Sequence, residues 1–205
     1  DVKSIAQLAA EFGTQAAAAD ARELAALAAQ AADAPVPFFT DRFSAAEIID
    51  LLARACLHRA RHGTLPATLP RRTVFGPTQM PLAVPTARRL APEAVLRVAR
   101  GIATAVELAG TLPSTIRCGE GTLGSLGEIG IGSALKALGQ ALAAPDPTRT
   151  LDTEPGAPYP PAGDDIVARA REFRHWNPHR LDLDLADILR HTALQSWTLK
   201  PASPA

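Results

Sequence analysis

Apolar residues recur at helical spacing along most of this chain. Ile5, Leu8, Ala9 and Phe12 lie on one helical face, and Leu24, Leu27 and Ala28 on another. This predicts helix across residues 3–32, broken at Gly13, with Asp20 placed to cap the second piece. The alanines at 16–19 fall inside the periodic pattern and read as helix. Ala34-Pro35-Val36-Pro37 ends it, and Val36–Phe39 reads as extended. Ser44 followed by Glu47 forms a capping box, in which the hydroxyl takes an orphan helix N–H and the carboxylate reaches back to the cap. Ile48, Leu51, Leu52, Ala55 and Leu57 then carry an apolar face as far as Gly63. Pro92 stands where a first helical residue needs no N–H, and Val95, Leu96, Val98, Ile102, Val106 and Leu108 follow up to Gly110. Glycines from 119 to 132 point to tight turns around short strands, before a helix over Ser133–Ala143. Residues 145–163 have too little apolar content to pack and read as a linker or surface wrap. Asp164 caps a helix through Trp176, a last helix spans about Leu185–Leu194, and Trp197 and Leu199 tuck the tail against the body.

Within this pattern the chain repeats itself. Gly63-Thr64-Leu65-Pro66-Ala67-Thr68-Leu69 returns 47 residues later as Gly110-Thr111-Leu112-Pro113-Ser114-Thr115-Ile116. The match runs back through Ile48/Val95, Ile49/Leu96 and Leu51/Val98. Proline forces its predecessor out of helical geometry, so Leu65 and Leu112 are expected to leave their helices and enter the core to the same extent. Gly63 and Gly110 should end the helices. Thr73-Val74-Phe75 reads as a short strand turned at Gly76-Pro77. The expected fold is mainly α with short β-hairpins. Two helix–GxLP–hairpin units, residues 43–89 and 90–144, pack together. An N-terminal helical segment (1–34), a Pro-rich linker (145–163) and a C-terminal helical clasp (164–205) complete it.

Composition narrows the class. With 47% apolar and 20% charged residues the chain is globular, and with aromatics at 4% its core must be Leu, Ile, Val and Ala. The formal net charge is zero, which gives no global field for nucleic acid, and no apolar run reaches transmembrane length. The zero conceals a dipole. Residues 42–100 carry ten arginines against Glu47, Asp50 and Glu93, a balance of +7 offset by −7 elsewhere. Arg54, Arg61, Arg71, Arg72, Arg88, Arg89, Arg97 and Arg100 are therefore the candidate binding residues, for an anionic polymer. The alternative is solvated helix faces and internal pairing with the acidic C-terminal third.

Other chemistry is faint. Gly119-Glu120-Gly121-Thr122-Leu123-Gly124 has the spacing of a dinucleotide fingerprint, but it lacks the strand and helix around it and places Glu120 where a pyrophosphate would sit. His58 and His62, near Cys56, share a helical face without a third ligand, so no tightly bound transition metal or other cofactor is expected. Cys56 and Cys118 are too few for a disulfide framework. His175, His179 and His191, with Asp182, Asp184 and Asp187, form the zone richest in acid–base groups, yet no nucleophile is placed beside them. Trp176, Trp197 and Tyr159 suit either ligand stacking or a clasp on the core.

A helix followed by Gly-x-Leu-Pro, an extended segment and another helix resembles the pseudomurein-binding repeat and related bacterial cell-wall-binding modules. The resemblance covers residues 43–144 and rests on Gly63, Leu65, Pro66 and Leu69, and on Gly110, Leu112, Pro113 and Ile116. The family's aromatic-rich second helix is missing here. The resemblance implies a non-catalytic envelope or polysaccharide-binding module, accessory to a larger exported protein and located outside the cell or in its envelope, with a cytoplasmic location left open. Its partner would be an anionic wall polymer or another protein. The alternatives are a protein-interaction or structural domain of a larger assembly, or an enzyme using the His/Asp-rich C-terminal region.

Overall fold

The computed structural model describes residues 18–34, 36–120, 126–146, 148–161 and 185–199. The expectations for residues 3–17, and for the helix from Asp164 through Trp176, lie outside them. The described helices are α1 (Ala21–Asp33), α2 (Ala45–His62), α3 (Pro92–Ala109), α4 (Ile131–Ala143) and α5 (Leu185–Gln195). Short antiparallel strand pairs join them among the described residues. β1 (Ala18–Asp20) pairs with β2 (Thr68–Pro70), β3 (Arg89–Leu90) with β6 (Leu151–Asp152), and β4 (Thr115–Glu120) with β5 (Leu126–Gly130). The architecture is mainly helical, as the periodicity implies.

Local chemistry sets the helix ends. Ser44 Oγ accepts the Glu47 N–H at 3.2 Å and Glu47 Oε2 accepts the Ser44 N–H at 2.9 Å, completing the capping box of α2. Asp20 caps α1 through the Glu23 N–H at 2.7 Å. Upstream of this cap Ala18 and Ala19 pair with Pro70 and Leu69, and so form strand β1 instead of the expected helix. Gly63 and Gly110 end α2 and α3 at φ 78° and 67°, a left-handed geometry that glycine adopts without a Cβ clash.

α2 is the central element, packed against α1, α3 and α4, and every residue from Ala45 through Ala53 is buried. α1 lies so close to α4 that a Cβ on Gly139 would stand 2.5 Å from the Ala32 backbone nitrogen. On α3, Val95, Val98, Ile102 and Val106 are buried as expected, but Leu108 is 82% exposed. At 100° per residue it lies on the far side of the helix from Val106.

The first unit does not form its own hairpin. β2 pairs with the N-terminal β1, and Thr73–Phe75 contributes a single parallel bridge, Phe75 to Thr111. Prolines at 70, 77, 81 and 85 remove the donors a longer ladder needs. Leu112 is 3% exposed, whereas Leu65 is half-buried against the same core, so the two leucines are not equivalent in burial. Residues 148–160 lie along the body: Leu151 is buried in the β3–β6 pair, the Ser133 hydroxyl donates to the Glu154 carbonyl at 2.7 Å, and the Gly156 N–H donates to Ala83 O at 2.9 Å. Trp197 is fully buried, donating Nε1–H to Pro158 O at 2.9 Å while its carbonyl accepts the Ala46 N–H at 2.9 Å. Leu199, expected to tuck in beside it, is exposed.

Candidate functional site

The eight arginines divide into groups. Arg54 and Arg71 turn to the carboxylates of α2. Arg54 donates Nε–H to Asp50 Oδ2 at 2.9 Å, its Nη2 lies 2.6 Å from the same oxygen, and Nη2 also donates to Pro70 O at 2.8 Å. Arg71 Nε stands 3.7 Å from Glu47 Oε1, and exposed Arg72 adds positive potential at Asp50. Arg97 donates from Nε and Nη2 to Cys118 O at 3.3 and 3.1 Å. Arg89 pairs with Asp152 at 3.2 Å on an exposed strand edge. Arg61, Arg88 and Arg100 are exposed. Arg54, Arg71 and Arg72 thus lie around Glu47 and Asp50, while Arg61 sits at the end of α2, Arg88 and Arg89 at β3, and Arg97 and Arg100 on α3. Outside this set, Arg117 pairs with Glu128 and Lys136 with Glu154.

Asp50 is the more deeply buried acid of this cluster. Its side chain is wholly buried, and Oδ1 has no hydrogen-bond partner among the described residues. Burial pushes its carboxyl above the ordinary value, outweighing the attraction of Arg54 and Arg72. Sequence reading missed it, although an acid between Ile49 and Leu51 with an arginine four residues on was a visible signal.

A cleft of about 620 Å³ opens between the C-terminal half of α2, the first turns of α3, the end of α4 and the strand that follows. Val95, Leu96, Leu142, Leu151, Ala60 and the Cys56 thiol supply apolar wall; Arg59, Arg149, Glu93 and Asp146 supply balanced charge. Arg59 is held in place by donating Nη1–H to Leu142 O at 2.8 Å. Nothing local in the sequence marks this cleft, because its walls come from residues 56–63, 92–96 and 141–151.

Groups suited to bond-making are poorly placed among the described residues. Burial raises the Cys56 thiol to about 12 and the Cys118 thiol to about 11, so both stay protonated near neutrality, and they are unpaired with each other. His58 and His62 have ring centroids 4.4 Å apart, and His58 Nδ1 lies 3.0 Å from Thr64 O. A carbonyl can only accept, so that nitrogen carries the proton. No cluster of three or more metal-ligating side chains forms among the described residues. His191 Nδ1 contacts Asp187 O at 2.8 Å within α5, while His175, His179, Asp182 and Asp184 lie outside the described residues, as do Trp176 and the turn of the glycine-rich fingerprint. Trp197 is fully buried and offers no stacking face; Tyr159 is half-buried. No helix among the described residues is long and apolar enough to cross a membrane. No family model, curated protein or solved structure matches the chain.

Proposed function

We propose that this chain is a non-catalytic binding module that seats its ligand in the cleft between α2, α3 and α4, as an accessory unit of a larger protein or assembly. The observation that carries the reading is the cleft itself: about 620 Å³, apolar-walled, with two arginines and two carboxylates on it. That lining suits a ligand with an apolar body and both donor and acceptor groups, such as a peptide or the peptide-bearing part of an envelope polymer. The protonated thiols also favour binding over catalysis.

A fluorescent apolar anion, anilinonaphthalene sulfonate, tests the cleft. It should bind the native protein with saturation, and Ala60→Trp, which fills the mouth from an exposed helical position, should abolish this while leaving the circular dichroism unchanged. Equal binding by the variant would remove the reading. Capture of a wall polymer by an arginine surface is the second reading, supported by exposed Arg61, Arg72, Arg88, Arg89 and Arg100. It predicts retention on isolated cell walls that falls steeply with salt, because surface charges are screened over about 8 Å at physiological ionic strength. Retention that ignores salt but is lost in Ala60→Trp would favour the cleft.

A further inference from the structure

The two Gly-Thr-Leu-Pro turns have the same backbone setting. Each follows an 18-residue helix and a left-handed glycine, and each leads to a strand beginning five residues after that glycine, at Thr68 and at Thr115. They differ in what closes them. At the second turn the trailing segment of the first unit lies alongside: the Phe75 N–H donates to Gly110 O at 2.8 Å and the Leu112 N–H donates to Phe75 O at 2.9 Å, a parallel bridge centred on Thr111. Val74, just before the bridge, is 1% exposed and anchors the segment in the core.

At the first turn the corresponding groups are Gly63 O and the Leu65 N–H. Neither has a hydrogen-bond partner among the described residues, Gly63 and Thr64 are exposed, and Leu65 is half-buried. The carbonyl of the central residue, Thr64, is already taken by His58 Nδ1–H. The Leu65 N–H belongs to the same trans peptide unit as that carbonyl, so it points the opposite way, away from His58. Gly63 also forms part of the cleft wall.

We propose that the Gly63–Leu65 turn, with the adjoining cleft, docks an extended peptide segment of the Thr-Val-Phe-Gly-Pro kind. The segment runs parallel to the turn, makes the two hydrogen bonds seen at Thr111, and places the apolar residue before its bridge position in the cleft. Main-chain bonds supply pairing and the pocket supplies selectivity, the logic of strand addition to an open edge. The chain's own Thr73–Pro77 is engaged at the second turn, so the occupant is an extended segment of this kind on a partner polypeptide. The proposal rests on the cleft reading above and names its ligand class.

The test uses a capped synthetic peptide with the sequence of residues 71–79, titrated into the intact protein while amide hydrogen exchange is followed by NMR. In the free protein the Leu112 amide should exchange slowly and the Leu65 amide quickly. With peptide bound, Leu65 should slow by at least about tenfold while Leu112 stays unchanged, and Ala60→Trp should prevent the effect. A peptide carrying N-methylphenylalanine in place of the phenylalanine lacks one donor and should bind about tenfold more weakly, as expected for losing one hydrogen bond. Unaltered Leu65 exchange at millimolar peptide, or equal binding of the N-methyl peptide, overturns the docking mode. If the fluorescent anion still binds the cleft in that case, the binding-module reading survives alone; if it does not, both fall.

Discussion

Replacing Asp50 by alanine tests the charge cluster most directly. The change deletes the acceptor of both Arg54 contacts, 2.9 and 2.6 Å, and leaves a guanidinium whose side chain is 11% exposed beside the positive field of Arg72. Breaking a buried pair by removing one partner costs about 3–5 kcal/mol. Arg54 keeps its bond to Pro70 O and a route to solvent, so the lower end applies, about 3 kcal/mol. For a chain of this size each kcal/mol moves the melting temperature by about 2–4 °C, giving a fall of about 6–12 °C. Replacing both residues, Asp50→Leu with Arg54→Met, removes the desolvation cost along with the attraction and should leave stability near or above native. The assay is urea unfolding of the native protein, Asp50→Ala, and the closed cycle of Asp50→Leu, Arg54→Met and their double variant. A coupling energy below about 0.5 kcal/mol, within which distant sites simply add, would refute the reasoning. Dependence on pH gives a second readout. The folded carboxyl has a raised pKa, so between the ordinary aspartate value and the folded value the native state holds a proton that the unfolded chain has released. Stability from this group therefore falls as pH rises through that window. Arg54→Met removes a partner that lowers the pKa, and should widen the window upward.

Two further outcomes are expected. Gly63→Ala and Gly110→Ala should each destabilise by about 1–2 kcal/mol in urea titration, the cost of a left-handed alanine, and by similar amounts, since an added Cβ meets nothing within 4 Å at either site. Cys56 and Cys118, at about 12 and 11, should resist a thiol-reactive disulfide reagent at pH 8 in the folded protein and react fully in urea; rapid reaction of either without denaturant would contradict the burial.

The sequence alone determined what depends on near neighbours. The capping box of Ser44 and Glu47, the Asp20 cap, Pro92 at the start of α3 and the left-handed glycines at 63 and 110 all involve residues within a few positions of each other, so their types and spacing suffice. The mainly helical class followed from the 3.6-residue period for the same reason. Tertiary structure decided everything that required distant segments to meet. Ala18 and Ala19 are strand because Thr68–Pro70 lies beside them, Leu65 and Leu112 differ in burial although their local sequences match, and Arg54 and Arg71 point at carboxylates rather than outward. The cleft and the open turn at Gly63 belong to the same class. A pocket or an unmatched pair of backbone groups is a relation between surfaces, and its energetics depend on how far packing excludes water, which no local pattern of residue types encodes.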